Sequence, residues 1–386
     1  MSGATNKNRR IARRNVDVKL IIPLGMWLRL FFIRENMAAY FIDTSATADA
    51  GAADRVPLIR FGGPLMQACV APSRGAELCS LKVLRGGAGG TWVETIHRAN
   101  DYTATEGDNW AGKSPTLWPA VGRNFTAAQL AAATESGKRP AMCKYHTTEG
   151  GDEELEIPLH GFAQNAVWRQ QAEGTRAEPD AATVVLECSP EDAPETSKAQ
   201  YPFEWLLQIQ LRVAGDKLSV RFIVENKDAA RRMPFSVGTH PTFRLPTAEH
   251  ANAYLTGTHA LDLKLSPFSC LTGDSVDHTQ RGKLPALEFC DNVMGRSPAV
   301  DAGEGCFMEL VRPDSGMTVR LSQKLGALGK QYGDAPLYFV MWADKAQGFF
   351  CLEPWCGGPN SLNEDCVRLA PGAKFDWLHE FQVIFT

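Results

Sequence analysis

Trp205-Leu206-Leu207-Gln208-Ile209-Gln210-Leu211-Arg212-Val213 is the stretch whose reading decides the fold. Trp205, Leu207, Ile209, Leu211 and Val213 fall on one face, and Gln208, Gln210 and Arg212 on the other. A period of two is the mark of a half-buried strand, because successive side chains point to opposite faces of a sheet. Ala214-Gly215-Asp216 follows as a turn, and Leu218 to Glu225 resumes the alternation, which predicts a hairpin. Further strands are expected at Thr183 to Cys188, Met317 to Ser322, Leu337 to Trp342 and Gly348 to Glu353. Helical signal is confined to the Ala-rich Thr126 to Thr134. With no strand–helix alternation and no fixed-period repeat, the expected class is all-β, a large antiparallel sandwich. The 34 glycines and 23 prolines punctuate the chain as many short strands require.

The chain of 386 residues can bury a sizeable core unaided. Its formal net charge of −4 gives no electrostatic reason to expect nucleic acid, and it disfavours stable attachment to an anionic membrane. Neither G-x-G-x-x-G after a strand nor G-x-x-x-x-G-K-[ST] occurs, so neither a dinucleotide nor an NTP is indicated. The ten cysteines contain no C-x-x-C pair. Reduced, mostly buried thiols are therefore preferred over a zinc site or a disulfide framework. Asn124-Phe125-Thr126 fits a glycosylation sequon, a triplet that often arises by chance.

Residues 1–36 hold Lys7, Arg9, Arg10, Arg13 and Arg14, then an apolar run from Leu20 to Ile33 broken by Arg29. Three readings compete. The run falls short of the roughly 20 apolar residues a spanning helix needs. An Arg-rich, acid-poor segment also suits organelle import. An upstream extension of a domain beginning near Met37 is preferred. Thr44 to Asp54 reads as a linker. The expected organisation is an extension and linker over 1–54 and one sandwich domain over 55–386. The expected location is the cytoplasm, with import as the alternative.

Three distant segments couple an acid–base residue to Gly, Pro and aromatics: Leu159-His160-Gly161-Phe162-Ala163-Gln164-Asn165 ending at Trp168, Gly238-Thr239-His240-Pro241-Thr242-Phe243, and Cys351-Leu352-Glu353-Pro354-Trp355-Cys356-Gly357-Gly358. Taken singly each has a bland explanation. A histidine beside glycine is more often a hydrogen-bonded structural residue, and Glu-Pro is often the end of a strand. Their joint occurrence, in this order and with these flanks, carries more weight.

As a set these segments resemble aldose 1-epimerase-like proteins. H-G-F-A-Q-N-x-x-W is similar to their H-G-F-A-R-N-x-x-W, G-T-H-P-T-F to G-x-H-P-x-F, and L-E-P-W-C-G to E-P-W-x-G. Arg74-Gly75-Ala76-Glu77-Leu78, the stretch Ser114 to Arg123, and Leu369-Ala370-Pro371-Gly372 resemble further segments in the same order, so the likeness runs from about residue 61 to 383. It is nearest to the branch with an E-P-W motif. The resemblance implies the galactose mutarotase-like supersandwich, with His160 and His240 as active-site histidines and Glu353 as catalytic glutamate. It implies interconversion of the α and β anomers of a hexose or hexose phosphate.

The residue types suit that chemistry. Opening a cyclic hemiacetal removes the proton from O1 and protonates the ring oxygen O5, which one carboxylate and one imidazole can do. Glu353 is expected as the base at O1, His240 as the acid at O5 and His160 as a second donor. Glu353 should be ionised and His240 protonated, each stabilising the other. Arg74, Arg123, Gln164, Trp118 and Trp355 are the candidate sugar contacts, the aromatics offering a face for the ring to stack on. Gln164 stands where the related pattern has Arg, replacing a fork of five donors by one amide, and Arg123, Arg74 and Arg169 are candidates to compensate. No metal or other cofactor is expected. Two other classes stay open. One is a non-catalytic sugar-binding protein, motivated by Gln164. The other is a metal enzyme built on the two histidines and the glutamate. The expected partner is a small-molecule sugar, and the chain is expected to be a monomer or homodimer.

Overall fold

The computed structural model describes residues 39–45, 56–97 except 88, and 114–386 except 149–150, 152, 290, 302, 304, 334, 345 and 347. The Arg-rich segment 1–36 and most of the linker lie outside the described residues. The decisive hairpin is present as strands Trp205–Ala214 and Lys217–Asn226, paired antiparallel from Trp205↔Asn226 to Ala214↔Lys217. Trp205, Leu207, Ile209, Leu211 and Val213 are all buried, while Arg212 is exposed. The other expected strands occur as Ala181–Cys188, Met317–Leu325, Leu337–Asp344 and Phe349–Cys356. Residues 171–200 also contain the short strand Arg176–Glu178 and one helical turn, Ser197–Gln200.

Among the described residues the hairpin is the middle of a ten-stranded sheet, in which Lys374–Phe385 bridges Lys217–Asn226 and Met317–Leu325. A five-stranded sheet from Phe41–Asp43 to Thr91–Glu94, an eight-stranded sheet containing Phe349–Cys356, and two two-stranded sheets, Met233–Phe235 with Val367–Leu369 and Cys143–His146 with Glu154–Ile157, complete the described architecture. Among the described residues every pairing between strands is antiparallel, apart from the isolated parallel bridge Trp118↔Gly161, so the all-β sandwich is observed. Every sheet contributes to the interior: Phe61 and Met66, Phe222, Trp377 and Phe381, and Phe339 and Leu352 belong to one continuous buried cluster. Burial of this kind at roughly 25 cal/mol per Å² of apolar surface is the main stabilising term. Phe41–Asp43 pairs with Ile59–Gly62, so the sandwich takes in residues that the sequence assigns to the extension. A three-residue strand has too little pattern to be seen before its partner is known.

The Ala-rich stretch forms the helix Ala127–Ser136. Thr126 caps it in a reciprocal capping box with Gln129, and Gly137 ends it in the left-handed conformation. Asn124 is buried, its amide bonded to the Val121 carbonyl and the Leu362 N–H, so the sequon is a structural element. The nine described cysteines carry free thiols, seven of them buried. No helix among the described residues is long and apolar enough to cross a membrane.

Candidate active site

Two prolines build the site by leaving a gap in a ladder. Phe349–Cys356 pairs along one edge with Leu337–Asp344 without interruption. Along its other edge it pairs with Thr242–Arg244 near its start and with Val237–Thr239 near its end. The register is Gly238↔Trp355 on one side of the gap and Thr242↔Cys351 on the other. Counting inward from either pair places His240 opposite Glu353. Pro241 and Pro354 lie inside the same gap and have no N–H to give a ladder. Side chains two apart share a face of a strand, so Trp355, Glu353 and Cys351 project together, against Gly238, His240 and Thr242. Cross-strand mates have Cβ atoms about 4.5–5.5 Å apart. Here His240 Nε2 lies 3.2 Å from Glu353 Oε1.

The remaining contacts fix this pair. Trp355 Nε1 donates to Glu353 Oε2 at 3.2 Å, and the His240 N–H donates to the Pro115 carbonyl. The Trp355 ring fits because its cross-strand mate is glycine. A Cβ on Gly238 would stand 2.7 Å from Trp355 Cδ1. His160 arrives from a separate loop. Phe162 and Ala163 N–H both donate to the Trp118 carbonyl, and a Cβ on Gly161 would meet that oxygen at 2.2 Å. The loop is thus clamped on the segment preceding Gly122. His160 has φ +63°, the left-handed region that costs a side-chain-bearing residue roughly 1–2 kcal/mol. Its Nδ1 accepts the Gly122 N–H at 3.1 Å, so in the neutral ring the proton sits on Nε2, which becomes a donor. The His160 ring centroid is 5.9 Å from that of His240 and 5.6 Å from Trp355. The three groups singled out in the sequence therefore converge.

The family model described as aldose 1-epimerase matches residues 141–381, more than half of the chain. The chain belongs to the aldose 1-epimerase family. Similar solved structures include a galactose mutarotase-like protein from Clostridium acetobutylicum, at 16% identity and TM-score 0.68, covering 90% of this chain and 99% of that one. A galactose mutarotase-like protein from Lactobacillus casei has 20% identity and TM-score 0.60, covering 85% and 100%. A galactose 1-epimerase from Lactobacillus acidophilus has 14% identity and TM-score 0.62, covering 90% and 99%. At these identities the structural likeness establishes the fold; the family match places the chain, in general terms, among sugar epimerases.

The electrostatics of this family member depart from the expected ion pair. Burial pushes the Glu353 carboxyl well above its usual range, opposed by the Trp355 hydrogen bond. Burial holds His240 well below the usual imidazole value, and the neighbouring His160 adds to this. Desolvation disfavours both charges, so in the free site the single proton between them rests on the carboxyl rather than the imidazole. His160 is pushed down to about 3, by burial and then by the positive charge of Arg123, and stays neutral. Glu353 is 1% exposed, whereas His240 and His160 keep 6% and 9%.

Some expected sugar contacts are placed otherwise. Trp118 is 0% exposed and packs against Phe162, Tyr201 and Trp205, so it offers no open face and supports the loop of His160 from within. Gln164 Nε2 donates to the Leu159 and Gly161 carbonyls on either side of His160, which makes it a brace of that loop. Trp355 is buried and acts on Glu353 through its N–H. Arg169 pairs with Asp192 at 2.8 Å. Arg74 is half-buried in the turn whose Gly75 backs onto the Gln164 backbone. Arg123, also half-buried, is the candidate basic residue whose charge reaches His160.

Trp342, Asp291 and Arg139 were not singled out in the sequence, and Cys351 opens the third segment without a role of its own there. Trp342 is half-buried, its ring 6.2 Å from His240, and it is the cross-strand mate of Cys351. Cys351 Sγ lies 3.3 Å from Thr242 Oγ1. Asp291, in the left-handed region at φ +58°, is close enough for its charge to act on Glu353. The charges of Arg123 and Arg139 act in turn on Asp291. Strand pairing would have found Trp342 and Cys351; Asp291 and Arg139 carried no local signal.

Proposed function

We propose that this protein interconverts the α and β anomers of a hexose or hexose phosphate by acid–base ring opening and reclosure. The observation that carries the proposal is the 3.2 Å contact of His240 with Glu353, with the donor nitrogen of His160 beside it. When a sugar enters, its hydroxyls supply the polar surroundings that burial removed, and the shared proton passes to His240. Glu353 takes the proton from O1, the C1–O5 bond breaks with its electron pair going to O5, and His240 protonates O5. His160 Nε2–H hydrogen-bonds the oxygen that gathers charge. Rotation about C1–C2 presents the other carbonyl face, and the same transfers in reverse close the ring. One acid–base group acting on each oxygen is worth about 10²–10⁴-fold in rate.

Trp342 is the aromatic placed to stack on the ring, and Asp291 and Arg123 are candidate polar contacts. Arg123 and Arg139 could hold a phosphate by charge-assisted hydrogen bonds. The non-catalytic alternative drew on Gln164. That amide engages the loop backbone, and the 3.2 Å contact of His240 with Glu353 supports turnover over mere binding.

NMR exchange spectroscopy on glucose, galactose and glucose 6-phosphate tests the proposal. Anomer exchange accelerates with at least one, and Glu353→Gln slows it by about 10²–10⁴-fold. No acceleration with a broad set of aldoses and their phosphates, or full activity of the variant, would overturn it.

A further inference from the structure

We propose that His240, Cys351 and Glu353 form an inhibitory site for a thiophilic divalent cation such as Zn²⁺ or Cd²⁺. The ligand atoms of all three lie within 4.8 Å of one another, and all three residues are buried. The ladder explains the convergence. Cys351 and Glu353 are two apart on one strand face, and His240 stands opposite Glu353 on the neighbouring segment. Metal–nitrogen and metal–oxygen bonds of about 2.0–2.2 Å and a metal–sulfur bond of about 2.3 Å set tetrahedral donors about 3.3–3.7 Å apart. The 3.2 Å pair of His240 and Glu353 is already one such edge. A shift of about 1 Å by the thiol closes the others.

The donor set also selects the ion. One imidazole nitrogen, one sulfur and one carboxylate oxygen suit a borderline-soft cation and not magnesium or calcium, which prefer all-oxygen shells. Binding releases to solvent the thiol proton and the proton held between His240 and Glu353. A thiolate, a carboxylate and a neutral imidazole then cancel the charge of a divalent ion, which a buried site requires. Three protein ligands leave the fourth position for water or a sugar hydroxyl. The ion would bind the same Nε2 and carboxylate that serve as acid and base, so occupancy stops proton transfer. The inhibitory consequence rests on the proposed epimerase reaction; the binding does not.

Cadmium added to the full-length protein provides the test, read by equilibrium dialysis and by the ultraviolet thiolate-to-cadmium charge-transfer band. We expect one bound ion per chain, the band, and loss of anomer exchange that EDTA restores. Cys351→Ser should abolish the band and weaken binding about 10-fold or more, while Cys356→Ser, whose side chain is on the opposite strand face, keeps both. Glu353→Gln leaves the thiol in place and should weaken binding by a similar factor, which serves if Cys351→Ser does not fold. Cys306 Sγ lies 3.3 Å from His259 Nε2 and is a competing thiol–imidazole pair. A band that survives Cys351→Ser and vanishes in Cys306→Ser overturns the site, as does absence of stoichiometric binding. Cadmium bound at Cys351 by a protein with no epimerase activity would instead sink the proposed function alone.

Discussion

Trp355→Phe separates positioning from chemistry. The indole N–H donates to Glu353 Oε2 at 3.2 Å and is the contact that most opposes the upward push of burial on that carboxyl. Phenylalanine fits the slot beside Gly238 and lacks the donor. A hydrogen bond to a charged group contributes about 1.5–3 kcal/mol. With 1.4 kcal/mol per decade, losing it lowers the ionised fraction of Glu353 at fixed pH by about 10- to 100-fold. The sign follows from the cause: without the donor, burial is less opposed, the carboxyl holds its proton to higher pH, and less base is available at neutrality. The assay is kcat/KM for anomer exchange across pH, by NMR. The variant should be about 10- to 100-fold slower near neutrality, its rising limb displaced to higher pH, with much of the rate recovered in alkali. A uniform loss with an unmoved limb would mean that Trp355 acts through packing or sugar contact. An unchanged profile would mean that the bond does not tune Glu353.

Gly238→Ala should damage the same contact from the other side. Its Cβ would meet Trp355 Cδ1 at 2.7 Å and Val121 Cγ1 at 3.1 Å, so we expect a loss of about 1–3 kcal/mol in chemical denaturation together with reduced exchange rate. Acid should unfold the protein earlier than its carboxylates alone would dictate. Burial holds His160 and His379 to about 3 and His259 to about 4, against 6.5 for a free imidazole. The unfolded chain therefore binds more protons below pH 6.5, and stability, complete above that value, falls progressively toward pH 3–4. The raised carboxyls of Glu353, Asp291 and Asp365 act in the opposite direction, against five lowered histidines once His97 and His240 are added. Thermal melts by circular dichroism at pH 8 and pH 5 check this, and equal midpoints would refute it. Gln164→Ala removes two hydrogen bonds of 3.3 Å from the loop of His160, and should lower the exchange rate with little change in the melting midpoint.

The sandwich was legible where one strand face meets the core and the other meets water. Trp205–Ala214 buries every second side chain, so its period of two is written in its residues. The roles of single aromatics were not legible. Trp118 and Trp355 look alike as large rings beside proline, yet one is sealed in the core by partners from Phe162 to Trp205, and the other has its N–H aimed at a carboxyl. Those outcomes depend on segments 44 to 117 residues apart in sequence, from Trp118 and Phe162 to Gly238 and Trp355. Gln164 misled for a related reason: it was judged as a weakened substrate contact, whereas its side chain turns back onto its own loop.

Phe349–Cys356 shows how a local rule fails at the point of function. All eight of its residues are buried, so it has no alternation, and Glu353-Pro354 reads in isolation as the end of a strand. The strand nevertheless continues through Pro354 to Cys356, with Phe339 opposite Pro354 on the intact edge. On the other edge the Leu352 N–H donates to the Pro241 carbonyl, while Pro241 and Pro354 have no N–H to return, so the ladder is thinned there and proline is tolerated. The interruption exposes no apolar surface. His240 and Glu353 face each other there as a non-hydrogen-bonded pair, the arrangement in which cross-strand side chains come closest. Replacing either proline by a residue with an N–H would add a ladder donor across this stretch without changing its register. The site thus depends on two residues that carry no reactive group, and the paired prolines in H-P and E-P were as informative as the acid and base beside them.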